Sequence, residues 1–478
     1  MNAIAAPDNP VPSRRAAWWP YLFVAAGFLW CFTHFPGAWY PDTEAQHEQM
    51  LSGQYRDWHP PVFAAFWGLV NTAWNTATGM EITGSEVLYV VHAVMLWGGL
   101  ALLVHAGRGF FGRLYVDPAR WRLWFVGALL FLALFEMTDI TRDVLKDTAM
   151  FASYVLAVGV LCNFPRRMVW KLLAGAFCML LLFYGTAVRH NAVFAVLPLL
   201  YLLAANYAPS PSHSTSPKCS QPSSRSAWPW RLMGASLLLW GLLLLGIYGM
   251  NYGVLKSARQ NSMQEIYYGD IWRLNYATQT FDLPPSPKGV GWEPLTEDVF
   301  FALYQPRPFV KDAFAEINAH YNEPESRLRR YYLQDFSGAE EEYRLLAQAW
   351  QSKVWQNPLL YIKLKGKLFG SLLRYMSFME LTGVWYLAFA VVVSGVWVVR
   401  LVARRPLGDV TPWCVTISGL LYVLPYLIFL TDIQRRYLIW FFFASLFGAV
   451  WFAGVAYVKY ATRGRNRHAE LPAAHAMA

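Results

Sequence analysis

Apolar runs of roughly 17 to 25 residues recur along nearly the whole chain, each long enough to cross a hydrocarbon core as a helix. They lie at 17–37, 61–78, 85–106, 123–137, 148–164, 171–188, 192–207, 232–250, 381–401, 413–430 and 438–458. Only 15% of the 478 residues are charged, against about 25% in a soluble domain. The expected fold class is therefore an all-α polytopic membrane protein.

Basic residues in short loops mark the cytoplasmic side. Arg14/Arg15, "GRGFFGRLYVDPARWR", "PRRMVWK", the 208–231 linker, "RLVARR" and "KYATRGRNRH" carry that signature. If all eleven runs cross, the basic 107–122 loop and "PRRMVWK" fall outside. If 61–78 does not span, every basic loop falls on one side. That run is also the weakest candidate, with Asn71 and Asn75 and three Thr in "NTAWNTATG". The expectation is about ten spanning helices with both termini inside, plus a non-spanning helix at the outer face. Outer segments are then 38–84, 138–147, the turn 189–191, a charged and aromatic region 251–380, and 431–437. The organisation reads as a cytoplasmic N-terminus 1–16 and a transmembrane module 17–250. A small extracytoplasmic domain 251–380, C-terminal helices 381–458 and a cytoplasmic tail 459–478 follow. The Ser/Pro-rich stretch 209–226 reads as a flexible linker.

The net charge of +10 (40 basic minus 30 acidic) follows the inner loops and does not require a nucleic-acid partner. The five cysteines, Cys31, Cys162, Cys178, Cys219 and Cys414, all fall outside the outer segments, so no disulfide framework is expected.

Titratable residues gather in the outer segments. In "YPDTEAQHEQML", Thr43 to Gln46 has a capping-box pattern, which leaves Asp42 just outside the helix with a free carboxylate. The competing reading makes Asp42 the N-cap itself. Asp57-Trp58-His59-Pro60-Pro61 sets an extended approach to the next helix, because residues before proline avoid the α region. His59 there is a ligand, a donor or a structural loop histidine. In "TDITRDVLKD", Asp139, Asp143 and Asp147 recur every four residues and align on one face of a helix, beside Arg142 and Lys146. Arg189, His190 and Asn191 form a short outer turn, and Asp432, Arg435, Arg436 and Tyr437 a later one. Outer arginines run against the positive-inside bias and suit an anion, because a guanidinium offers a planar fork of donors. The aromatic stretch 264–281 is a sugar platform or the core of the outer region, with core the preferred reading.

Two absences narrow the function. The spanning cores carry almost no Asp, Glu, Lys or Arg, which disfavours an ion-coupled transporter. No Asp-x-Asp pair occurs, which disfavours a metal-held nucleotide-sugar.

Asp42 in the first outer loop, Asp57-Trp58-His59-Pro60-Pro61 downstream, Leu145-Lys146-Asp147, and the softer Asn357-Pro358-Leu359-Leu360-Tyr361 together resemble the GT-C superfamily of integral-membrane glycosyltransferases. The likeness is to the bacterial protein-mannosyltransferase and aminoarabinose-transferase type, and mainly covers residues 17–250. It implies a polyprenyl-phosphate-linked sugar donor and an inverting transfer to a glycan or lipid acceptor. It also implies a bacterial inner membrane with the active site facing the periplasm. By the same analogy Asp42 is the general base, with Glu44 as alternative because relatives carry Asp-Glu where Asp42-Thr43 stands here. Asp57, His59, Asp143 and Asp147 would orient the acceptor or a metal, and Lys146, Arg189, Arg435 and Arg436 would hold the donor phosphate, with Asn191 and Tyr437 nearby. The resemblance fixes no cofactor and leaves room for a divalent cation such as Mg or Mn. Two other classes stay open: a lipid-linked-glycan ligase or polymerase using Arg273, Arg327, Arg329 and Arg330, and a lipid-linked-sugar flippase.

Overall fold

The computed structural model describes residues 19–112, 142–208, 228–282, 340–378, 381–403, 409–430 and 435–456. The expected run 123–137, Cys219, most of the 208–231 linker, residues 283–339 and both tails lie outside the described residues. What is described is helical apart from a two-residue ribbon, Ser377–Phe378 against Leu381–Thr382, and isolated bridges. The helices are α1 (Trp19–Cys31), α2 (Pro41–Ser52), α3 (Val62–Thr78), α4 (Glu86–Gly112), α5 (Lys146–Cys162), α6 (Met168–Ala187), α7 (Ala192–Tyr207) and α8 (Trp228–Tyr248). They continue with α9 (Gln264–Thr278), α10 (Glu340–Gln356), α11 (Pro358–Tyr375), α12 (Gly383–Val402), α13 (Thr411–Val423) and the single turn α14 (Tyr426–Phe429). The last, α15 (Arg436–Ala456), opens in a 3-10 turn, Arg435–Leu438.

Among the described residues six helices are long and apolar enough to cross a membrane: Glu86–Gly107, Met168–Ala187, Trp230–Val254, Gly383–Val402, Thr411–Phe429 and Arg436–Ala456. The chain is a multi-pass, all-α membrane protein. Helix α5 runs through its centre, buried along nearly its whole length, as expected of a helix apolar all round. It crosses α4 at paired glycines: a Cβ on Gly99 would meet the Leu156 backbone nitrogen at 2.6 Å, and one on Gly159 the Gly99 carbonyl at 2.7 Å. Small residues let membrane helices approach this closely. Between α7, α13 and α15, Ser418 donates to the Ala195 carbonyl at 2.6 Å and Trp440 donates to Ser418 at 3.0 Å.

The run 61–78 becomes α3, which is not among the six long apolar helices. It ends at Gly79, in the left-handed region at φ +73°. The chain then folds back along it. Asn75 donates to the Ile82 carbonyl, and Asn71 and Trp67 both donate to the Gly84 carbonyl, at 2.9–3.0 Å. The asparagines that weakened this run as a span are the groups that pin the returning segment. Glu86 therefore starts α4 at the end where α3 began.

Two local expectations need correction. Helix α2 begins at Pro41, with Tyr40 as the extended N-cap residue. Thr43 is thus the third helical residue and Asp42 sits inside the first turn, because proline is pre-organised for a helix start and has no N–H to satisfy. The Asp139–Asp143–Asp147 face does not form. Asp139 lies outside the described residues, Asp143 is in a bridge with Ala38, and helix starts only at Lys146. Pairing across a hundred residues overrides the four-residue period, which also separates Arg142 from the Lys146 row.

Candidate functional site

The bridge that breaks the acidic period builds the site. Ala38 N–H donates to the Arg142 carbonyl at 2.9 Å and Val144 N–H to the Ala38 carbonyl at 3.1 Å. Gly37 makes this approach possible: φ is +98°, and a Cβ there would meet the Val144 side chain at 2.6 Å. The Thr43 hydroxyl accepts from Tyr40 N–H at 3.3 Å and donates to the Val144 carbonyl at 2.7 Å. These contacts seat the first turn of α2 against the first turn of α5 and bring Asp42 to Lys146.

Asp42 is the hub. Its Oδ2 lies 3.5 Å from Lys146 Nζ and 3.5 Å from Arg436 Nη2, and its Oδ1 lies 3.7 Å from His59 Nε2. Asp147, with a side chain only 1% exposed, lies 3.0 Å from Arg189 Nε and 4.0 Å from Arg436 Nε. Neither Asp147 oxygen has a hydrogen bond of good geometry among the described residues. Arg189 also donates to the Tyr426 hydroxyl at 3.1 Å. The Tyr437 ring stacks on Tyr426 and lies beneath both guanidinium groups, 5.0 Å from Arg189 and 5.7 Å from Arg436.

His59 is neutral here. Burial, reinforced by the adjacent Lys146 cation, pushes its pKa down to about 3. Lys146 Nζ lies 2.6 Å from His59 Nδ1. An ammonium only donates, so Nδ1 accepts and the ring proton sits on Nε2, facing Asp42. Burial alone would raise the Asp42 carboxyl, but the cations around it, Lys146 first, outweigh burial and hold it well below the usual carboxylate range. Asp42 is an anion throughout the physiological range. Among the described residues three cations face two carboxylates, which leaves these five groups one unit positive and open to a further anion.

The remaining sequence candidates fall elsewhere. Asp57 faces away from the cluster: its carboxylate accepts from the Tyr252 hydroxyl at 2.8 Å and from Gln260 N–H at 2.6 Å, and its own N–H donates to the Ala258 carbonyl at 3.0 Å. It clamps the loop that carries His59. Asp143 pairs with Arg142 at 3.3 Å and borders a small separate cavity with Tyr89 and His92. Glu44 is exposed and makes no ion pair with any described residue. Asn191 precedes α7 without capping it through its side chain. The side chain of Arg435, and Asp432, lie outside the described residues, as do Arg327, Arg329 and Arg330. Arg273 is bound to Asp270 at 3.2 Å. The aromatic stretch at 264–281 is core, with Tyr268, Ile271 and Trp272 buried against Leu346.

Three contributors were not visible in the sequence. Tyr426, which orients Arg189, lies inside a run read only as an apolar span. Tyr252 and Gln260, which hold Asp57, lie 195 and 203 residues from it. Neither Asp42 nor Asp147 suits a divalent metal, since both face cations. Among the described residues no three His, Cys, Asp or Glu side chains are grouped to hold one. Comparison with protein-family models, curated proteins and solved structures finds no match.

Proposed function

We propose that this chain is a membrane glycosyltransferase of the GT-C type, which moves a sugar from a polyprenyl-phosphate donor to a glycan or lipid acceptor of the cell envelope. The observation that carries the reading is a single one. An ionised carboxylate, Asp42, stands at one end of the helix bundle amid Lys146, Arg189 and Arg436, in a cluster with one positive charge to spare. In the transfer the acceptor hydroxyl attacks the anomeric carbon opposite the phosphate, its proton passes to Asp42, and the carbon–oxygen bond to phosphate breaks. The leaving phosphate takes up the negative charge, which Lys146, Arg189 and Arg436 are placed to neutralise. In the resting site the cations hold Asp42 ionised but weakly basic. A donor phosphate competes for Lys146 and Arg436, and their withdrawal raises the proton affinity of Asp42 as the acceptor arrives. Neutral His59 keeps an N–H toward Asp42 and adds no charge.

The opposite end of the bundle carries Arg166, Arg167, Lys171, Arg231 and Arg400. The positive-inside rule supports reading that end as cytoplasmic and the site as facing outward; the bacterial inner membrane and its periplasm are what the GT-C resemblance implies. The test is to supply the purified wild type with polyprenyl-monophosphate sugars, polyprenyl-diphosphate glycans and nucleotide-sugars in separate reactions. Release of polyprenyl phosphate from a monophosphate donor is expected. Turnover with diphosphate-linked glycans alone would replace this reading with a ligase.

A further inference from the structure

Helix α11 has two faces of opposite character. Lys365, Leu368, Phe369, Leu372 and Leu373 are buried inward. Outward, Leu359 is 81% and Ile362 64% exposed, and Trp355 at the end of α10 is 73% exposed. Lys363, Lys367 and Arg374 are exposed on the same side. At about 100° per residue these outward positions of α11 span an arc of roughly 140°, with Gly366 and Gly370 between them. A Cβ on either glycine would meet nothing within 4 Å. None of the three cations pairs with an acid among the described residues.

The neighbourhood of this face identifies what covers it. From Tyr375 the chain makes a short ribbon and enters the span α12 at Gly383, where Val384 and Trp385 are exposed in the first turn. A tryptophan exposed at the end of a membrane helix sits at headgroup level. The C-terminal end of α11 is therefore within a ribbon's length of the bilayer surface. Lys365 in mid-helix donates to the Leu430 carbonyl, just past the end of the span Thr411–Phe429, at 3.2 Å. The outward face carries apolar residues on one edge and, on the other, cations that pair with no acid among the described residues. That combination describes a helix lying in the membrane interface.

We infer that Trp355, Leu359 and Ile362 rest in the headgroup–acyl boundary and that Lys363, Lys367 and Arg374 bind the phosphates of anionic phospholipids. The open groove at Gly366 and Gly370 lets a headgroup approach the helix backbone. This surface is separate from the Asp42 cluster and holds whether or not that cluster transfers sugar.

The test uses the full-length protein in detergent with equimolar phosphatidylglycerol and phosphatidylcholine, and reads bound lipid by native mass spectrometry. The wild type is expected to retain phosphatidylglycerol in preference. The triple variant Lys363→Gln/Lys367→Gln/Arg374→Gln should reduce that preference about tenfold or more, since each basic residue near an anionic membrane surface adds its own attraction. Lys367→Gln alone, a mild change on an exposed side chain, should give a smaller loss in the same direction. An unchanged preference in both variants overturns the inference. So does a preference that survives in the triple variant but disappears in Lys146→Met, which would place the lipid at the Asp42 cluster instead.

Discussion

Two ionic clusters in this protein use similar ingredients to opposite ends. Around Asp270, itself 1% exposed, Lys365 lies at 2.7 Å and Arg273 at 3.2 Å, and Trp350 and Tyr361 donate at 3.2 and 3.1 Å. Every contact is short, and Lys365 also donates to the Leu430 carbonyl at 3.2 Å. Around Asp42 the three contacts are 3.5, 3.5 and 3.7 Å, and Asp147 is held by charge without well-formed hydrogen bonds. Among the described residues each cluster carries one excess positive charge. The first is saturated and fastens α9, α10 and α11 to the end of α14. The second leaves lone pairs and N–H groups uncommitted, which a substrate can take. Satisfaction of hydrogen bonds, not charge content, separates a structural lock from a candidate site.

The comparison breaks first where its predicted effect is largest. Asp270→Asn leaves Lys365 buried with its main partner neutralised, and removing one member of a buried pair costs about 3–5 kcal/mol. Thermal unfolding in detergent should show a large drop in midpoint. A shift no larger than that of a surface substitution would remove the distinction between the clusters. On the other side, Lys146→Met and Arg436→Met should each weaken binding of free polyprenyl phosphate about tenfold or more, because truncating one partner of a desolvated, hydrogen-bonded charge pair costs about 2 kcal/mol or more. The melting midpoint should move much less than in Asp270→Asn.

The pH dependence sharpens the same contrast. His59 is lowered from 6.5 to about 3 in the folded protein, so the unfolded chain binds the extra proton first. Stability is therefore lost as pH falls from 6.5 toward 3. Asp42 is also lowered from its ordinary 3.8; its contribution is present above 3.8 and is lost as pH falls through the lower folded value. His59→Gln should flatten the dependence of melting midpoint on pH between 6.5 and 4, and an unchanged slope would show that His59 does not titrate as its burial requires. The smallest effect is expected from Glu44→Gln. Its side chain is exposed and makes no ion pair with a described residue, so turnover should stay within about twofold of wild type, as for surface substitutions generally.

Much of this was legible in the chain itself. The apolar runs at 85–106, 171–188, 232–250, 381–401, 413–430 and 438–458 correspond to the six long helices, because length and hydropathy alone decide a span. Asp42, His59, Lys146, Arg189 and Arg436 stood out as titratable groups in segments read as outer, and the fold brings all five together. Asp143 was misplaced because a four-residue period is local, whereas its bridge to Ala38 depends on a segment far away in the chain. Tyr426 was hidden because a tyrosine in an apolar run looks like core. The Asp270–Lys365 pair was hidden for a third reason: each residue reads as a surface charge until the other, 95 positions away, is placed against it.

The most direct test of the central claim is Asp42→Asn beside wild type, with a polyprenyl-monophosphate sugar as donor and release of polyprenyl phosphate as the readout. General-base assistance contributes about 10²–10⁴-fold, so turnover should fall by at least about a hundredfold. Donor binding should persist and the melting midpoint should stay near wild type. Turnover within a few-fold of wild type in a folded, donor-binding Asp42→Asn protein would contradict the account, whatever the remaining cluster does.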